Sequence, residues 1–431
     1  MKIVKYGDSS FQEVLDSICN RVAFPDDIEA SVAGILKDIR EQGNKALSFY
    51  ARKFDKVCLE PNEFLVSEEE IEAAAKKVSV KTRKAIKLAF KNVSDFSRQS
   101  TPKPWTFTPR KGVVLGERFE PLDRVACYVP GGTAPLVSTI LHTVTMAKVA
   151  GVKEIVVITP VGPDKQVHPA ILYAAKVAGA TEVYRLGGVY GVGAVAYGTD
   201  TIPKVEKIVG PGNAYVTAAK RQVYGYSSLD LVAGPSEILV IADETANPAF
   251  VAADMMSQAE HGSGFEQAVC VTTSEELAKK IQAQVLLQMK RRKRQDHVQK
   301  VYNEGMFIFV VDDMEEAVKV TNDYAPEHLE IQTKQAGQVA KKIKSAGAIF
   351  IGHYTPESVG DFVAGPSHVL PTGGAAKYFS GLTVEHFYRR MSVVSYTKSA
   401  LKEELWAVEE IARNEGLDAH GYAAAVRFES E

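Results

Sequence analysis

Apolar residues near the start of the chain recur at the spacing of a helix. In "IEASVAGILKDIREQG", Ile28, Val32, Ile35, Leu36 and Ile39 make one stripe, as a period of 3.6 residues per turn requires. Asp26 and Asp27 stand ahead of the stripe and Gly43 can close it. "SEEEIEAAAKKV" then opens with Ser67 and Glu70 three apart, the spacing of a reciprocal N-terminal cap. From about Arg124 the period changes. Short β-branched runs ("EIVVITP", "KIVGP", "EILVIAD", "QAVCVTT", "GMFIFVV", "GAIFIG") alternate with helical stretches such as "PAILYAAKVAG", "NAYVTAAKRQV" and "PAFVAADMMSQAEH". Strand–helix alternation implies parallel sheets with helices on both faces.

There are more strands than one nucleotide-binding unit needs. The pattern therefore predicts an α/β protein: two Rossmann-like parallel-sheet domains with a helical N-terminal segment and a helical C-terminal dimerisation tail. The expected divisions are an arm over 1–24, a helical part over 25–123 packing with the second sheet domain, and a first α/β domain over 124–235 on the cofactor side. A second α/β domain over 236–380 would carry the chemistry, and the tail over 381–431 would reach a partner. The two sheets would join near "DLVAGPSE".

Composition narrows the function classes. The chain has 431 residues, 45% apolar and 24% charged, with a net charge of −2. That balance supplies no global field for nucleic acid or an anionic membrane. The basic run Lys290 to Arg294 reads as a solvated helix face. Cys19, Cys58, Cys127 and Cys270 are scattered without paired spacing, which fits a reducing compartment. No apolar run approaches a membrane span, and "MKIVKYGDSS" lacks a secretory apolar region, so a cytoplasmic protein is expected.

Three glycine-rich turns follow strand signals. Gly191-Val-Gly193-Ala-Val-Ala196 has the form G-x-G-x-x-A, but the acidic residue expected about 20 positions on is missing, since Glu206 precedes its strand. Those glycines serve either a nucleotide turn or close helix–sheet packing. "YVPGGTAP" and "VGPGNAYV" can each present backbone N–H groups at a helix start, a ready anion site. Cys127, with apolar neighbours, reads as an inert core thiol.

Among nine histidines, His261, His328, His368 and His420 stand out by lying in polar stretches hemmed by Gly or Pro, where chemistry tends to sit. In "SQAEHGSG", Gln258 and His261 share a helix face in the last turn before Gly262. There the helix dipole favours a cation. The spacing alone leaves a polar helix end and half of a metal site both open. Glu327 and His328 in "NDYAPEHLE" are either a polar turn before a strand or a carboxylate–imidazole pair able to move protons and activate water.

Seven segments together resemble the histidinol dehydrogenase family: "YVPGGTAPLVST", "GPGNAYVTAAKRQV", "AGPSEILVIAD", "SQAEHG", "NDYAPEHLE", "GDFVAGPSHVLPTGG" and "EGLDAH", in that order over nearly the whole chain from about residue 30. The resemblance implies a zinc-dependent four-electron oxidation of L-histidinol through L-histidinal to L-histidine, consuming two NAD. It implies zinc ligands Gln258, His261, Asp361 and His420, with one zinc per subunit and His420 crossing from a partner in a homodimer. His328 would be the general base and Glu327 would activate water. Ser236, His368 and Glu415 would line the substrate pocket beside the ligands, and Tyr128, Tyr190 and Asn213 would fall at the NAD site. The chain departs from the family pattern at Tyr190, where Gln is common, at Phe362 for Tyr and at Ser367 for Asn. The same chemistry on another small polar alcohol, such as a sulfonated propanediol, is the nearest alternative. A metal-dependent hydrolase or a non-catalytic nucleotide-binding module are the others.

Overall fold

A computed structural model describes residues 1–21, 26–131, 135–232 and 234–429. Its strands in chain order are β1 (Lys2–Lys5), β2 (Trp105–Arg110), β3 (Val113–Pro121), β4 (Arg124–Tyr128), β5 (Glu154–Ile158), β6 (Glu182–Tyr184) and β7 (Lys207–Val209). There follow β8 (Ser228–Leu229), β9 (Glu237–Ala242), β10 (Gln267–Thr272), β11 (Met306–Val310), β12 (His328–Gln332), β13 (Ala348–Ile351) and β14 (Tyr388–Tyr396). Two parallel sheets result, ordered β6-β5-β4-β7-β8 and β1-β11-β10-β9-β12-β13, together with an antiparallel sheet β14-β3-β2. The chain divides into two compact units. Met1–Ser100 with Leu122–Phe387 holds both parallel sheets, and Thr101–Pro121 with Tyr388–Glu431 holds the antiparallel one. No helix among the described residues is long and apolar enough to cross a membrane.

The central strands β9, β10 and β12 of the second parallel sheet are almost wholly buried. On β9, Ile238 and Val240 join the cluster around Met255 and Ile281, while Leu239 and Ile241 join the opposite cluster around Phe309 and Leu329. Both faces are covered, so the strand reads as an unbroken apolar run.

In the first sheet the strand order reverses between β4 and β7, the position at which open α/β sheets accept ligands outside the carboxyl ends of their strands. The two glycine turns follow these same strands. Gly132 of the first turn lies outside the described residues. Gly210 of the second adopts φ +113°, and a Cβ there would stand 2.3 Å from the Tyr128 carbonyl oxygen. A buried ion pair holds this turn: Lys220 Nζ donates to Asp230 Oδ1 at 2.5 Å and to the Gly210 carbonyl at 2.9 Å, and Gly210 N donates to Asp230 Oδ2 at 2.7 Å.

The expected N-terminal helix spans Asp26–Gln42, with Val32, Leu36 and Ile39 buried. The capping box is present, Ser67 accepting from Glu70 N and Glu70 from Ser67 N. Its helices pack mainly on helices of the first sheet (Gly188–Tyr197, Ala214–Gln222, Val137–Ala150, Pro169–Ala178) rather than on the second as expected. The reason lies in Gly193, whose missing Cβ leaves room for Ile39 and Leu36. The G-x-G-x-x-A glycines sit inside a helix and serve this close packing.

Five strands were not foreseen, among them β3 in the part expected to be helical and the short β8. β1 joins the second sheet beside β11. β2 and β14 are almost wholly exposed in the chain, so they lack the apolar alternation that marks a half-buried strand. The segment from 381 on thus begins with a 3-10 turn and β14 before its helices Lys398–Glu415 and Asp418–Ala425.

Lys220→Met leaves Asp230 charged and unpaired in a buried place. It should cost ~3–5 kcal/mol, read as a lowered urea midpoint with unchanged slope; a loss under 1 kcal/mol would remove the clamp from the account.

Candidate active site

The helix Pro248–Ala259 runs from the carboxyl edge of the second sheet back to its amino edge. Its negative dipole end therefore points at that edge. Gln258 sits in its last turn, fully buried, with neither amide atom hydrogen-bonded. An orphaned buried amide costs about 1–3 kcal/mol, so a partner from outside the chain is implied. His261, at i+3 and more open, sets its Nδ1 2.8 Å from Ser236 Oγ. With Nδ1 donating to that hydroxyl, Nε2 keeps its lone pair for a cation. Ser236 thus fixes the His261 ring.

Glu327 lies in the turn that leads into β12, and His328 is the first strand residue, paired with Ile238 and Ala348. The two side chains of the pair lie together, Glu327 Oε2 standing 3.6 Å from His328 Nδ1. Glu327 Oε2 accepts from Glu237 N at 2.9 Å, while His328 Nδ1 donates to the Glu237 carbonyl at 3.0 Å. That bond leaves His328 Nε2 as the reactive nitrogen. It stands 3.3 Å from Asp361 Oδ1 and has no hydrogen bond of good geometry. Asp361 comes from the π-helical turn Gly360–Ala364, which continues the short helix Glu357–Val359.

His328, Glu357 and Asp361 bring ligand atoms within 4.8 Å of one another. Burial pushes the Glu327 and Glu357 carboxyls up to about 8. Burial opposes charge on His328 too, but the Glu327 and Asp361 carboxylates overcome it and raise the imidazole to about 10. Against burial, the same imidazolium holds Asp361 below the ordinary carboxylate range. Carboxylate, imidazole and amide oxygen are donors for a divalent ion, and the unpartnered Gln258 amide and His328 Nε2 fit one here.

His368 stacks on His142, ring centroids 4.6 Å apart, and its Nε2 is 3.3 Å from Thr139 Oγ1. Tyr128 closes β4 with its hydroxyl accepting from Gly188 N at 3.2 Å. Asn213 caps the helix Ala214–Gln222 through Oδ1, accepting from Val216 N, so its amide nitrogen stays available. Tyr190 is only 1% exposed, and its hydroxyl donates to Asp55. Thr159, after β5, keeps a buried hydroxyl without a partner, and a Cβ on Gly131 would stand 2.7 Å from it. Crowded glycines and a free hydroxyl at the switch point suit a dinucleotide. The structure thus gathers Ser236, Gln258, His261, Glu327, His328 and Asp361 at one sheet edge of the first unit. Glu415 and His420 are exposed residues of the second unit, the first ending its long helix and the second on the helix after it.

Comparison with known proteins decides the family. The family model described as histidinol dehydrogenase matches residues 20–428. The chain belongs to the histidinol dehydrogenase family. It is 45% identical to the histidinol dehydrogenase of Bacillus cereus over 98% of both chains. It is 44% identical to histidinol dehydrogenase 2 of Trichormus variabilis over 94% of this chain and 93% of that one. A crystal structure of histidinol dehydrogenase from Elizabethkingia anophelis superposes with a TM-score of 0.94 at 36% identity, covering 100% of this chain and 98% of that one. The family's enzymes are oxidoreductases that act on a CH–OH group with NAD.

Several residues of the site escaped the sequence. Glu237, buried at the start of β9, is matched by Arg21, with Nε 2.8 Å from Oε1, and that guanidinium lies 3.9 Å from the Tyr324 ring centre. Glu330 and Glu357 are also buried. A carboxylate inside an apolar strand, as in "HLEIQ", was the available signal.

His142 supplies a pH test. Burial, then the His368 ring beside it, pushes His142 down to about 3, below the ~6.5 of an unfolded chain. The unfolded state alone takes up the proton as pH falls below 6.5, so stability is full above that pH and declines toward pH 3. The slope approaches ~1.4 kcal/mol per unit. His142→Phe should flatten urea midpoints measured from pH 7 to 5; an unchanged slope would assign the loss to other groups.

Proposed function

We propose that this chain oxidises L-histidinol to L-histidine in two NAD-dependent steps, using one zinc ion held by Gln258, His261 and Asp361 together with His420 of the partner subunit. The observation that carries this is the fully buried, unpartnered Gln258 amide beside Asp361 and His328, in a chain of this family. Zinc would supply a fixed charge to anchor the imidazole and amine of the substrate. NAD would accept hydride at the crevice between β4 and β7, near Tyr128 and Asn213. The relatives compared above all bear the histidinol dehydrogenase name, which favours histidinol over another polar alcohol.

His328 takes the alcohol proton at Nε2, its ring held by the Nδ1 bond to Glu237 O. Once Asp361 is engaged by a cation, His328 loses a charge that keeps it protonated. Its pKa then falls toward the neutral range that a general base needs. Glu327, beside the His328 ring and fixed by Glu237 N, draws the proton from the water that adds to the aldehyde. Its raised pKa makes it a stronger base than an exposed carboxylate. A homodimer sharing the site is supported by apolar residues left exposed in the second unit, Trp406 at 71%, Val394 at 66% and Ile411 at 60%.

Full conversion of L-histidinol should yield about two NADH per substrate, abolished by a chelator and restored by zinc. One NADH per substrate would mean that the aldehyde escapes and Glu327 has no role in hydration. His328→Ala should lower kcat on the order of 10²–10⁴ with zinc content retained; near-parental turnover would remove His328 from proton transfer.

A further inference from the structure

The face of β12 that begins with His328 continues with Glu330 and Gln332, since alternate strand residues share a side. This polar stripe is almost fully buried, at 1% exposure for Glu330 and 2% for Gln332. Its partners reach across three elements. Gln332 Nε2 donates to Asp254 Oδ2 at 2.7 Å, on the helix that carries Gln258, and to Glu330 Oε2 at 2.8 Å. Glu330 Oε1 accepts from Glu357 N at 2.7 Å, at the start of the segment that carries Asp361. Ser257 Oγ, one residue before Gln258, donates to Glu357 Oε2 at 2.5 Å. Burial and the Asp254 carboxyl raise Glu330 well above the ordinary range, and the two carboxyls are hydrogen-bonded to each other. Among the described residues no Lys or Arg neutralises this network.

An apolar stripe would cost the fold nothing here, because well-packed apolar residues replace buried polar clusters with equal or better stability. What an apolar stripe could not do is fix three elements by directed bonds. We propose that Asp254, Glu330 and Gln332 are positioning residues that hold Gln258, His328 and Asp361 in register before the metal arrives. The inference rests on the zinc site assigned above. It goes beyond that site because none of the three touches the ion or the substrate. Outer hydrogen-bond partners of metal ligands commonly change affinity ~10–100-fold when removed.

The experiment compares Glu330→Leu and Glu330→Gln with the parent, full-length and metal-free. It reads the zinc dissociation constant by competition with a chromogenic chelator and the urea midpoint of the metal-free protein. Glu330→Leu should bind zinc ~10–100-fold more weakly, while the metal-free protein still unfolds in one cooperative step at a midpoint lowered by the orphaned Glu357 amide. Glu330→Gln, whose amide oxygen still accepts from Glu357 N but whose nitrogen no longer accepts from Gln332 Nε2, should lose less zinc affinity than Glu330→Leu. Parental zinc affinity in Glu330→Leu, or equal weakening in both variants, would overturn the brace. If Glu330→Leu fails to fold, Asp254→Ala decides at the less buried end: weakened zinc supports the brace and parental affinity overturns it. A parent that binds no zinc would instead overturn the metal assignment itself, and the brace with it.

Discussion

Negative charge concentrated at a buried strand end is the constraint on which the site depends. Asp361, Glu327 and Glu357 crowd around His328, and the Pro248–Ala259 helix adds its negative end. One imidazolium cannot balance this arrangement and also act as a base. A divalent ion of the kind proposed above would resolve both demands: it would offset the carboxylates and release the imidazole from service as their counter-ion. The same logic explains Arg21, brought from the N-terminal segment to neutralise Glu237 just behind Glu327 and His328.

The two parallel sheets contribute opposite edges. The first uses its carboxyl edge at the strand-order reversal, where glycine turns permit close backbone approach, as open α/β sheets generally do. The second uses its amino edge, where helices end. Dipole sign accounts for the difference. Helix N-termini suit the phosphates of a dinucleotide, whereas helix C-termini suit a cation. The hydride acceptor and the metal-anchored substrate proposed above would thus draw on opposite poles of one architecture.

The sequence revealed its buried parts better than its exposed ones. Strands such as "EILVIA" and "QAVCVT" declared themselves because both faces are covered. β2 and β14 did not, since contact with water on both sides leaves no periodic pattern. The Ser67–Glu70 cap was readable because it is entirely local, whereas the pairing of β1 with β11 has no local trace. At the site, residue types, the Gln258–His261 spacing and the turn at Pro326 were readable; that the strand begins already at His328 was not. Glu330, Gln332 and Glu357 went unnoticed because their roles depend on elements far apart in the chain. Gly191 and Gly193 carried the opposite error, a nucleotide-like pattern that serves helix packing.

The pairing of β1 with β11 also bears on how the protein is made. Lys2 aligns with Phe307, so the first strand leaves the ribosome long before its only neighbour in the sheet exists. At bacterial-to-eukaryotic synthesis rates that interval is roughly 15–60 s. Until then Val4, which ends up in the core beside Phe11 and Phe309, has no sheet to join. The N-terminal segment must wait as an unpaired apolar strand, and so must Arg21, which it delivers to Glu237. Completion of the catalytic edge is therefore a late event in biosynthesis, and nascent chains that stall before residue 310 present a sticky end suited to chaperone capture.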